Sequence, residues 1–146
     1  MTAQGEDILA WLDNAISVRE TAATEAAAPY GGRWVQGFPE QHKDPDMRYG
    51  WAQDMVHLSQ NDPHIAYQCL SGEIAAHTVL NDPESVLRRC AADRKLIGQH
   101  GPWNVRDRAC RGCGLNNQDE QRIADYADCP VLNGIAEGYG WTGGER

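Results

Sequence analysis

Five cysteines carry the most chemistry in this chain: Cys69, Cys90, Cys110, Cys113 and Cys129. The sharpest pattern is Cys110-Arg111-Gly112-Cys113-Gly114. Two residues between thiolates let both sulfurs reach one tetrahedral ion, and glycines within and after the pair permit a tight knuckle. A thioredoxin-type redox pair has the same spacing, but such pairs sit at a helix start behind a buried strand. Here Val105 to Arg108 is short and polar, so a metal knuckle is the preferred reading. A closed site needs two more ligands. Cys129, 16 positions after Cys113, is the third. For the fourth, His100 stands ten residues before Cys110 and is favoured over Cys90. Cys90 falls within a helical stripe, where free cysteines commonly act as small hydrophobes, and His77 is a more distant candidate. With Cys90 as fourth ligand, four thiolates would also suit an iron–sulfur cluster, although the compact runs of ferredoxins are missing.

Other site chemistries find less support. A Cys3His site leaves no open metal position for catalysis. The deaminase pattern fails because no His-x-Glu occurs and Ala109 precedes Cys110. Neither a phosphate-binding loop nor a dinucleotide fingerprint is present. Trp103 and Trp141 occupy loop-like flanks, where an indole either packs over the knuckle or anchors a partner. Arg106, Arg108 and Arg111 form a local basic cluster beside Cys110. They are candidate partner contacts, and they keep a nucleic-acid-binding knuckle open as an alternative.

These residues must be positioned by a small number of elements. Ile8, Leu12, Ala15 or Ile16, and Arg19 set a helical period in a segment from Glu6 to about Ala28, and Pro29, Tyr30, Gly31 and Gly32 end it. Three short strand candidates follow: Arg33 to Val35, Tyr49 to Leu58, and Ile65 to Leu70 with Ser71-Gly72 as the turn after it. Glu73 to Leu80 reads as a short helix. Asn81-Asp82-Pro83-Glu84 begins the next one, with Asp82 as cap and Pro83 at the first helical position. Val86, Leu87, Cys90 and Ile97 give it an apolar stripe, and Gly98 to Pro102 is expected to stop it. Beyond it, Gln118 to Tyr126 is a short polar helix candidate, and Cys129 to Ile135 a final turn. The expected fold is α+β: an N-terminal helix, a small antiparallel sheet, a central helix and a C-terminal zinc-knuckle segment. One domain over 1–146 is expected, with a core from 6 to 100 and a metal-pinned segment from 100 to 141.

The whole-chain figures set outer bounds. At 146 residues, 41% hydrophobic and 23% charged, the chain suits an ordinary globular domain. Mean hydropathy is -0.61, and no apolar run approaches the roughly 20 residues of a membrane span. An odd cysteine count with no secretory signal points to a reducing compartment, hence the cytoplasm. The net charge of -8 opposes general nucleic-acid binding.

Much of the chain resembles an uncharacterised family of small actinobacterial and actinophage proteins, domain of unknown function 6221. The likeness rests on Gly32-Arg33-Trp34-Val35, then His77-Thr78-Val79-Leu80-Asn81-Asp82-Pro83 with Val86-Leu87. It continues through Arg94-Lys95-Leu96-Ile97, His100, the Cys110 and Cys113 pair, Cys129-Pro130-Val131-Leu132 and Ile135 to Tyr139. It spans about residues 6 to 141. Asn81 stands where the family pattern has a second histidine, the stretch from Cys113 to Cys129 is longer than usual, and the strand region is extended. The resemblance implies His100, Cys110, Cys113 and Cys129 as the constellation, and it supplies no activity. The expected function is therefore a non-catalytic, zinc-stabilised protein that binds a protein partner, with a CxxC or iron–sulfur redox sensor as a further alternative.

Overall fold

A computed structural model describes residues 7–37, 52–59, 62 and 65–142. Four helices and a three-stranded sheet make up these residues, an α+β fold as the pattern predicts. Helix α1 spans Ile8–Ala27, α2 Gly72–Leu80, α3 Pro83–His100 and α4 Pro130–Gly138. Strands β1 (Val35–Gln36), β2 (Met55–His57) and β3 (Ala66–Gln68) lie in the order β1-β2-β3. Both pairings are antiparallel, with Gln36 opposite Val56 and Val56 opposite Tyr67. No helix among the described residues is long and apolar enough to cross a membrane.

Contacts divide the chain into two compact units, Arg19–Arg89 and Met1–Val18 with Cys90–Arg146. In the first, α2 lies against β1 and β2. The Gln36 side chain fixes that arrangement, its Nε2 donating to the Gln53 carbonyl at 2.7 Å and the Gly72 carbonyl at 2.8 Å. Asp82 caps α3 as its position before Pro83 predicts: Oδ1 accepts from Ser85 N–H at 2.7 Å. Its other oxygen accepts from Trp34 N–H at 3.3 Å, which ties the segment before β1 to the start of α3.

The second unit holds the cysteine cluster and a small core. Ile8 and Leu12 of α1 are buried with Cys110, Tyr126, Cys129, Leu132 and Ala136. The four-residue step from Ile8 to Leu12 to Ile16 puts all three on one buried stripe, which explains why α1 forms where it does. Of the large aliphatic side chains described in this core, Ile8, Leu12 and Leu132 are buried, while Leu9, Ile97, Ile123, Val131 and Ile135 pack against them only partly buried.

Several element boundaries differ from the sequence expectations. Strand β1 begins at Val35 rather than Arg33, and a 3-10 turn at Ala52–Asp54 shortens the second strand to Met55–His57. Tyr49 to Trp51 lie outside the described residues. Ser71 is no turn residue but the cap of α2, its hydroxyl accepting from Ile74 N–H. Helix α3 runs through Gly98 to His100, and the Arg111 guanidinium holds the Gly98 carbonyl there. The expected helix at Gln118–Tyr126 is instead a hairpin, bridged between Leu115 and Gln121. Its cause is Asn116, whose side-chain oxygen accepts from Gln118 and Glu120 N–H at 2.8 and 3.0 Å and competes with helical bonding. Asp119, with φ 59°, completes the turn.

Candidate metal centre

Three backbone devices carry four side chains to one point. The first is the end of α3, where His100 is the last helical residue. From there the chain doubles back in a hairpin: Pro102 bridges Cys110, and Trp103 N–H donates to the Ala109 carbonyl at 2.8 Å. Asn104 and Asp107 close its tip by exchanging backbone bonds at 3.3 Å. Cys110 thereby returns beside His100, and the 3-10 turn Arg111–Cys113 brings the second sulfur round. Gly112 is required here, because an added Cβ would lie 2.7 Å from the His100 ring and 2.8 Å from the Gln99 carbonyl oxygen. The third device is the start of α4. Cys129 occupies the cap position but makes no side-chain cap bond, so its sulfur is available. A thiolate there also faces the positive end of the α4 dipole.

The resulting cluster is compact. One donor atom each from His100, Cys110, Cys113 and Cys129 lies within 4.8 Å of every other. The Nδ1 of His100 is 3.5 Å from Cys110 Sγ, 3.8 Å from Cys113 Sγ and 3.4 Å from Cys129 Sγ. Cys113 and Cys129 sulfurs are 3.7 Å apart. Metal–sulfur and metal–nitrogen bonds of about 2.3 and 2.05 Å in a tetrahedron imply edges of roughly 3.5 to 3.8 Å. Four of the six donor separations, at 3.4 to 3.8 Å, are close to those edges, so the cluster could hold one tetrahedral ion. Cys110 and Cys129 are buried while Cys113 is partly exposed. Burial, then the neighbouring Cys110 and Cys129 thiols, push the Cys113 thiol up to about 12. A cation bound among the sulfurs would displace the Cys113 proton.

The model of a family of unknown function, DUF6221, matches residues 5–140. The chain belongs to that family. No curated protein matches it, and no solved structure does.

In this DUF6221 member the remaining candidate residues are placed as follows. Cys90 is buried in α3 but is not one of the four clustered residues. Its sulfur lies 3.7 Å from the Tyr139 hydroxyl, which is 2.8 Å from Asp93 Oδ2. Burial, and then Asp93, raise the Tyr139 hydroxyl above the usual tyrosine value. His77 lies on an exposed part of α2, its ring beside the Asn81 amide. Trp103 is 42% exposed on the hairpin after His100, and Val105 at the tip is fully exposed. Arg106 is exposed beside it. Arg108 is committed to Asp125 through Nε at 2.8 Å and a terminal nitrogen at 3.1 Å. Arg111 is held on the Gly98 carbonyl. Trp141 packs edge-on against Trp11, with ring centroids 4.9 Å apart.

Sequence reasoning reads Arg108 as a partner contact and misses the clamp by which it braces the ligand loops. The Arg108 guanidinium lies 4.5 Å above the Tyr126 ring and also donates to its hydroxyl at 3.2 Å. Backbone bonds reinforce the contact, with Tyr126 N–H on the Arg108 carbonyl at 2.7 Å and Cys110 N–H on that of Ile123 at 2.9 Å. Arg108 holds the Asp125 carboxyl below the usual carboxylate range. No local pattern signals this clamp, since Arg108 and Asp125 are 17 positions apart.

Proposed function

We propose that this protein is a non-catalytic, zinc-stabilised interaction module. The observation that carries the reading is the four-donor cluster of His100, Cys110, Cys113 and Cys129. Three thiolates and one imidazole suit zinc, which accepts sulfur and nitrogen in a tetrahedron without geometric preference of its own. All four positions are filled by the chain, so an ion here would organise structure rather than bind substrate. Such thiolates persist in a reducing cytoplasm, and an actinobacterial or phage origin agrees with the family likeness.

The partner surface we assign is the hairpin that precedes Cys110. Trp103 and Val105 are exposed on it, and Arg106 lies beside them. A rigid aromatic and an arginine on an anchored loop are the residue types that dominate protein interfaces. A protein partner is favoured over nucleic acid because Arg108 and Arg111 are committed to Asp125 and to the Gly98 carbonyl.

Elemental analysis and an absorption spectrum of protein purified without oxygen test the metal. About one colourless zinc per chain is the expected result. Iron with visible absorption would replace zinc by an iron–sulfur reading, and no metal would overturn the proposal. Trp103→Ala should abolish capture of a partner while leaving the metal content unchanged. Salt-sensitive retention on DNA or RNA would favour a nucleic-acid knuckle instead.

A further inference from the structure

We infer that the metal centre is a latch for the first half of α1, so that losing the ion releases residues 8–18 together with the C-terminal segment. The inference rests on the metal reading above and deepens it by naming what the site controls.

Three observations converge on Tyr126. Its buried hydroxyl donates to Asp7 Oδ2 at 3.0 Å, across 119 positions of chain. The other oxygen of Asp7 accepts from Leu9 N–H at 3.0 Å, so the same carboxylate caps α1 and receives the tyrosine. Tyr126 in turn is gripped from both ligand loops. Arg108, two residues before Cys110, covers its ring and reaches its hydroxyl. Tyr126 itself lies three residues before Cys129, whose N–H donates to the Tyr126 carbonyl at 3.0 Å.

The packing has the same dependence. Ile8 and Leu12 are buried in one cluster with Cys110 and Cys129, and Cys113 lies against it. The apolar stripe of α1 is thus seated on the ligand-bearing loops themselves. Without an ion, the ligand loops are left with the Arg108–Asp125 clamp and their backbone bonds, and the surface that receives Ile8, Leu12 and Asp7 loosens with them. Tyr126 is a positioning residue in this scheme and is not one of the four donors.

Hydrogen exchange read by mass spectrometry, on the full chain with zinc and after chelation, tests the latch. Peptides over 8–18 should exchange at least about tenfold faster after chelation, together with those over 110–139, while α2 keeps its protection. Unchanged protection over 8–18 despite loss at 110–139 would overturn the latch and leave the metal site standing. Loss that spreads equally to α2 would also overturn it, because the ion would then hold the whole chain. Tyr126→Phe supplies the independent arm. With its zinc content intact by elemental analysis, it should show faster exchange over 8–18, and wild-type protection there would overturn the latch. Protein that binds no metal would sink the proposed function itself.

Discussion

Gly112 shows how little room the cluster leaves. A methyl group there meets the imidazole of His100 on one side and the Gln99 backbone on the other. Gly112→Ala should weaken zinc affinity by about 10- to 100-fold, the range found when groups supporting a ligand are disturbed. Competition against a chromophoric chelator measures this, and an unchanged affinity would mean that His100 does not ligate. The thiols set the pH dependence. Cys113 is pushed up to about 12, so in the metal-free protein its proton must be displaced by the ion. Affinity should therefore rise between pH 6 and 8, by up to about tenfold per pH unit for each proton released. In the metal-free protein the sign reverses for stability: a raised thiol contributes below its unfolded value, and that contribution is lost as pH rises toward the folded one.

At the scale of elements, caps and turns decide what side-chain periodicity cannot. Asp82 is buried and serves two backbone donors, one in α3 and one at Trp34. Asp82→Ala should cost about 1–2 kcal/mol in urea denaturation, since a cap is lost and two partly buried N–H groups are left without it. Asp82→Asn, which keeps a side-chain acceptor, should recover most of the loss. In the tail, Asn116 overrides the polar period of Gln118–Tyr126 by bonding locally, and a hairpin results. The continuation of α3 through Gly98 has a comparable cause, with Arg111 on the Gly98 carbonyl. One glycine lowers helix stability by only about 1 kcal/mol, which packing at the helix end can offset.

Across the molecule, the unit that carries the cluster has two braces, the proposed metal site and the Arg108–Asp125 clamp. Zinc in excess should raise the melting temperature in a concentration-dependent way, with roughly 2.7 kcal/mol gained at a hundredfold excess over Kd. Chelation should reverse it. The clamp answers to acid. Arg108 depresses Asp125, so its contribution is present above the ordinary carboxylate value and is lost as pH falls through the lower folded one. The stability difference between wild type and Asp125→Asn should accordingly narrow below about pH 4. A difference that persisted undiminished into strong acid would show that the carboxylate charge contributes nothing.

The α+β class, the start of α3 at Asp82-Pro83 and the knuckle at Cys110 to Cys113 were all legible from the sequence. Each depends on residues within a few positions of one another, where spacing and backbone preference already constrain the outcome. The fourth donor is a different matter. His100 and Cys90 lie ten positions apart on one helix, and only the return of the Pro102–Cys110 hairpin brings His100 to the sulfurs while Cys90 meets Tyr139. The meeting of Asp7 and Arg108 at Tyr126 likewise carried no signal, because these contacts span up to 119 positions. Local chemistry named the types of ligand, and the packing of distant segments decided which residues meet.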